Sequence, residues 1–89
     1  MQNAALAIND RRQIVGASDI ASDTYQHAFL WQNGTMSDLG TLPGDVITAA
    51  VAINNRGQVT GVSEDDNNNI RSFLWQNGTM YDLNDLGRL

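Results

Sequence analysis

The chain has no cysteine and no lysine, one histidine, one proline and 7% aromatic residues in a length of 89. Without cysteine, disulfide staples, thiolate metal sites and cysteine nucleophiles are all excluded. A lone His27 excludes most catalytic triads and imidazole-rich metal sites. The cations are 5 arginines against 10 Asp and Glu, for a formal net charge of −5. That balance argues against nucleic acid or an anionic membrane surface as partner, since both call for clustered cations. No apolar run reaches the roughly 18 residues of a spanning helix, so membrane insertion is not expected. The segment after Met1 lacks the cationic start and apolar stretch of a signal peptide. Stability therefore has to come from a hydrophobic core or from assembly.

What the chain does have is a repeat. Ala4-Ala5-Leu6-Ala7-Ile8-Asn9-Asp10 recurs 45 residues later as Ala49-Ala50-Val51-Ala52-Ile53-Asn54-Asn55. Phe29-Leu30-Trp31-Gln32-Asn33-Gly34-Thr35-Met36 returns unchanged, at an offset of 44, as Phe73-Leu74-Trp75-Gln76-Asn77-Gly78-Thr79-Met80. Aligning 3–18 and 27–39 with 48–63 and 71–83 gives 19 identities in 29 pairs, which establishes a duplication. The one-residue change of offset falls between Ser18 and His27, where a loop absorbs it.

Each unit reads as four short strands. An Ala-rich strand (4–9, 49–54) leads into a turn in which Gly57 supplies the positive φ of a three-residue hairpin loop. Residues 58–63 suit a pleated surface through their branched side chains. The most apolar strand, 72–75, is followed by Asn77-Gly78, a strong two-residue hairpin signal, and then by 79–83. No segment has 3.6-residue periodicity over ten residues, so no helix is expected and the class is all-β. Four antiparallel strands at a period of about 44 residues fit a propeller blade, with blade one at about 3–42 and blade two at about 48–86. A β-trefoil also uses four strands per repeat but needs three repeats; sandwiches and irregular meanders are the other readings.

The combined pattern, A-x-A-I-N-[ND]-x-x-Q-[IV]-x-G-x-S followed by [HR]-[AS]-F-L-W-Q-N-G-x-M-x-D-L, resembles the HAF repeat of bacterial proteins, named for residues such as His27-Ala28-Phe29. The resemblance covers almost the whole chain. It implies an extracellular or cell-surface β-repeat protein and carries over no catalytic residue. Two departures stand out. Arg12 occupies the place of Gly57, so the first hairpin should be strained by about 1 kcal/mol. Arg71-Ser72 replaces His27-Ala28, which argues against a shared role for His27.

Two isolated blades would leave two faces open, each with copies of the Ile, Phe, Leu and Trp positions, a larger patch than soluble monomers carry. Either the chain is excised from a longer propeller or copies close a ring head to tail, six blades as a trimer being favoured. The first and third connections are tight, and the second (19–26 and 64–70) and fourth (40–47, with Pro43-Gly44) are long. Loops on a rigid scaffold usually carry recognition, so ligand binding is expected on the long-loop face, at Asp19, Asp23, Tyr25, Glu64, Asp65 and Asp66.

The simplest reading of those acids is a solvated, mobile loop; bound calcium is not favoured, because the alternate spacing and distal Glu of an EF-hand loop are missing. No cofactor is expected. Trp31 and Trp75 read as packing between blades before they read as sugar-stacking platforms. Asn33-Gly34-Thr35 and Asn77-Gly78-Thr79 match a glycosylation pattern, but the same residues are what a type I′ turn requires. Asp38 and Asp82 read as hydrogen-bond acceptors at a blade edge. The leading expectation is a non-enzymatic structural or interaction scaffold. A lectin-like oligomer, with a glycan at shallow sites, is the alternative, and a protein ligand fits the same loops; an engineered or truncated repeat is a further alternative.

Overall fold

The computed structural model of the chain describes residues 3–19 and 25–86. It consists of two four-stranded antiparallel sheets, each a simple meander. The first sheet is β1 (Asn3–Ile8), β2 (Ile14–Asp19), β3 (Gln26–Gln32) and β4 (Thr35–Gly40). The second is β5 (Ile47–Ile53), β6 (Val59–Glu64), β7 (Ile70–Gln76) and β8 (Thr79–Asp82). A four-residue helical turn, α1 (Leu83–Leu86), follows β8 and packs on β7 and β8. The sequence reading has no helix there, since one turn is too short to show a period.

The turns obey their residues. Asn33-Gly34 and Asn77-Gly78 have φ of 55° and 82°, and of 53° and 84°, the positive pair that a type I′ hairpin needs. Arg12 has φ 61° where Gly57 has φ 79°, so the expected strain is present. Replacing it (Arg12→Gly) relieves about 1 kcal/mol of left-handed strain, while the freer unfolded chain cancels part of that. We expect a net gain of about 0.5 kcal/mol, read as a higher urea midpoint; a lower midpoint would show that this turn is unstrained.

Registers show a further shared device. Pairing of β1 with β2 slips between Ala5 and Ala7, and that of β5 with β6 slips between Ala50 and Ala52. Leu6 and Val51 sit at these bulges and are exposed. The bulge brings the first strand's backbone onto the second strand's glycine. A Cβ on Gly16 would lie 1.9 Å from the Ala4 carbonyl oxygen, and one on Gly61 would lie 2.0 Å from that of Ala49.

The sheets meet face to face but not symmetrically. Alternation along the strands places Ala7, Val15, Ala17, Ala28 and Leu30 on one face of the first sheet. That face meets the face of the second sheet bearing Ala50, Ile53, Val59, Phe73, Trp75 and Met80. In repeat terms these are opposite faces of the unit, as a head-to-tail stack requires. Leu42 of the linker is 2% exposed and completes the core. Thr48, fully buried, donates from Oγ1 to the Gly40 carbonyl at 2.7 Å and accepts from the Ala28 amide at 2.8 Å, joining the sheets.

The two outer faces differ: that of the first sheet carries Ile14, Phe29, Trp31 and Met36. Phe29 lies on the outer face of the first sheet yet is buried. The outer face of the second sheet has Thr60 and Ser72 where the first has Val15 and Ala28. Ile8 and Met36 are exposed on one outer face, and Val62, Ile70 and Tyr81 on the other. Among the described residues no helix is long and apolar enough to cross a membrane.

Candidate functional site

The tight-turn end is organised by asparagine. Asn9 Oδ1 accepts from the amides of Arg11 and Gln13, each at 3.0 Å, and Asn54 Oδ1 does the same for Arg56 and Gln58. Asn9 Nδ2 donates to Gln13 Oε1, and Gln13 Nε2 donates to Gln32; Asn54, Gln58 and Gln76 repeat the relay. The two turns are also bonded to each other. Asn9 Nδ2 donates to the Asn54 carbonyl at 2.8 Å, Asp10 N to Asn55 Oδ1 at 2.8 Å, and Asn55 Nδ2 to Asp10 Oδ2 at 3.0 Å.

At the opposite end lie the acids singled out from the sequence. Residues 65–69, read from the sequence as a solvated acidic loop, are exposed from Asp66 onward and form a side-chain-capped turn. Asp65 Oδ1 accepts from the amides of Asn67 and Asn69, Asn69 Nδ2 donates to Oδ2, and Asn68 takes φ 65°. This is the geometry of the Asn9 and Asn54 turns, with aspartate as the cap and Asn68 in the place of Gly57. The Asn69 amide, followed by its side chain, holds the Asp65 carboxyl below its ordinary range. The capped turn is therefore intact above that range and loosens only as pH falls through the depressed value.

Tyr25 and Asp66 are brought together, the phenol donating to Asp66 Oδ1 at 3.3 Å across the two repeats. Asp19 accepts from Gln26 Nε2 at 3.3 Å. The Glu64 carbonyl accepts from Val46 N at 2.8 Å. Asp23 lies outside the described residues. Among the described residues no three His, Asp or Glu side chains gather as a metal cluster.

The most developed polar site includes Asp82, the hydrogen-bond acceptor read from the sequence, but its other carboxylate, Asp45, was passed over. Arg71 bridges two carboxylates, Asp45 Oδ2 at 2.9 Å and Asp82 Oδ2 at 3.0 Å, and also donates to the Pro43 carbonyl at 2.9 Å. Ser63 donates to Asp45 from beneath. The Asp45 side chain is only 4% exposed. These bonds, with the Asp45 hydrogen bond foremost, push the Arg71 guanidinium above its usual range. They fasten the linker between the sheets onto the second sheet. No alternation or spacing marks Asp45, but the recurrence of Ser18 as Ser63 and of Asp38 as Asp82 was a usable signal.

The first repeat holds three of these positions as Ser18, His27 and Asp38. His27 Nδ1 lies 2.9 Å from Asp38 Oδ2 and 3.0 Å from Oδ1, with Ser18 paired opposite His27 on β2. So His27 and Arg71 do share a position and a partner, contrary to the sequence reading; they differ in that histidine is charged only when protonated. Asp38 is 57% exposed and Asp82 13%; Asp38 Oδ1 also accepts from the Gly40 amide at 2.7 Å. Ser18, Asp19, His27, Phe29, Met36 and Asp38 line an open cavity of about 220 Å³ there.

No family model, curated protein or solved structure matches this chain. The likeness to HAF repeats stands on the motif residues alone.

Proposed function

We propose that the two sheets are blades of a β-propeller and that the chain is a non-enzymatic structural or interaction module whose copies close a ring head to tail. Six blades, as a trimer, is the favoured closure. The observation that carries this reading is the direction of the internal junction. One face of the first repeat meets the other face of the second, and Asn9 donates to the turn of its neighbour. Asn54 Nδ2 and the Asn55 amide stand where Asn9 Nδ2 and the Asp10 amide stand in the first repeat, and a heterologous contact of this kind repeats from copy to copy, making a ring where the rotation closes. The motif resemblance supports a location outside a bacterial cell or on its surface. Its recognition surface is the end bearing Asp19, Tyr25 and Asp66, for a protein or glycan ligand.

Assembly links stability to concentration. The thermal midpoint should rise by several degrees over a hundredfold increase in protein concentration. A midpoint constant over that range would contradict the reading.

A further inference from the structure

We propose that the side-chain nitrogen of Asn9 is a clasp between the two repeats, tying closure of the first hairpin to the seating of the second. Three turns of the chain share one geometry, and their differences isolate this role. In turns 9–13, 54–58 and 65–69 the first residue's amide donates to the fifth residue's carbonyl, at 3.2, 3.1 and 3.2 Å, and its carbonyl accepts from the fourth residue's amide. In all three, Oδ1 of the first side chain accepts from the amides of the third and fifth residues. Asp65 does this with a carboxylate, and Asn69 Nδ2 donates to its second oxygen. The cap therefore needs acceptors alone, and an amide at its head has to be explained by something else.

Part of the work of that amide is replaceable. Asn9 Nδ2 donates to Gln13 Oε1 and Asn54 Nδ2 to Gln58 Oε1. Each glutamine can turn its own amide over and donate instead, as Asn69 does to Asp65, with Gln32 or Gln76 turning in step. Only a donor at Asn9 can supply the other bond, 2.8 Å to the Asn54 carbonyl, which also accepts from the Gly57 amide that closes the second turn. Asn54 Nδ2 bonds only Gln58 among the described residues. The two asparagines are equivalent in the repeat, yet within the chain only the first spans the junction. That junction is internal, so the clasp does not depend on ring closure.

The test compares Asn9→Asp with Asn54→Asp by urea unfolding, at the lowest workable protein concentration so that assembly contributes least. Both are made in a chain carrying Asp10→Asn, which makes the residue after the asparagine the same in both turns. The remaining charged side chains of the turns, Arg11, Arg12 and Arg56, are common to both variants. Each variant keeps the cap and reverses its glutamine relay, so their difference isolates the donor to the neighbouring turn. At about pH 7 the new carboxylate of Asn9→Asp meets a carbonyl, acceptor against acceptor, and the folded-to-unfolded ratio should fall about tenfold. Asn54→Asp should change it by about twofold at most. Protonating the carboxyl supplies a donor again, so the gap between the variants should narrow as pH falls to about 4. Equal losses at the two positions would overturn the clasp, as would a gap that stays constant with pH. If Asn9→Asp fails to fold at about pH 7, folding near pH 4 upholds the clasp. Failure at both pH values, with Asn54→Asp folded at both, overturns it.

Discussion

Replacing Gly61 with alanine (Gly61→Ala) should cost about 3 kcal/mol, the upper part of the usual range for overpacking. The added methyl would lie 2.0 Å from the Ala49 carbonyl oxygen and 2.9 Å from the Ala50 Cα, so backbone has to move. Little room exists for that. Gly61 pairs with Ala50 and Phe73, both fully buried, and Thr48 and Ser63 beside them are fully buried too. Gly16→Ala makes the same clash, at 1.9 Å from Ala4, but there β1 is an exposed edge strand that can lift away. Its cost should be smaller, about 1–2 kcal/mol. Against a total stability of about 5–10 kcal/mol for so small a domain, the Gly61 variant should melt far earlier or fail to fold. Urea unfolding decides it: equal losses at the two glycines would mean that the junction between sheets does not pin the second bulge.

The second large effect is at Arg71. Arg71→Met leaves Asp45 and Asp82 facing one another without a cation, and Asp45 is 4% exposed. Stranding a buried charge costs about 3–5 kcal/mol, but the Arg71 side chain is 31% exposed and partly screened by water. We therefore expect a loss of about 2 kcal/mol. Arg71→His, which copies the first repeat, should recover part of it only with the imidazole protonated. A histidine that gains carboxylate partners titrates higher folded than unfolded, so its contribution is complete at low pH and fades as pH rises through the folded value. Unfolding midpoints at about pH 5.5 and 7.5 separate the two variants. A pH-independent Arg71→His would show that the linker is held by Leu42 and backbone bonds alone.

These residues also mark how far the sequence could be read. The eight strands and the Asn-Gly turns were legible because local chemistry dictates them: only a pair with positive φ closes those hairpins. The duplication was equally plain. The unequal fates of its copies were not. Phe29 and Phe73 sit in identical octapeptides, yet only Phe73 faces the other sheet. Sequence identity records the strand and not which side its neighbour lies on. Leu42 seals the core from a linker with no alternation to reveal it, and Asp45 was counted only as part of a loop. The turn at 65–69 was missed for a different reason. Its Asp65 and Asn68 have the spacing of Asn54 and Gly57, but aspartate drew attention as charge before it was seen as a cap.

Solution mass by light scattering after size exclusion tests the central claim, that these sheets are blades of a ring closed by copies of the chain. The protomer mass is 9.7 kDa. Our account predicts a particle of about 29 kDa, three protomers and six blades. Two or four protomers would keep head-to-tail closure and change the blade count. A folded particle of 9.7 kDa at every concentration would contradict it.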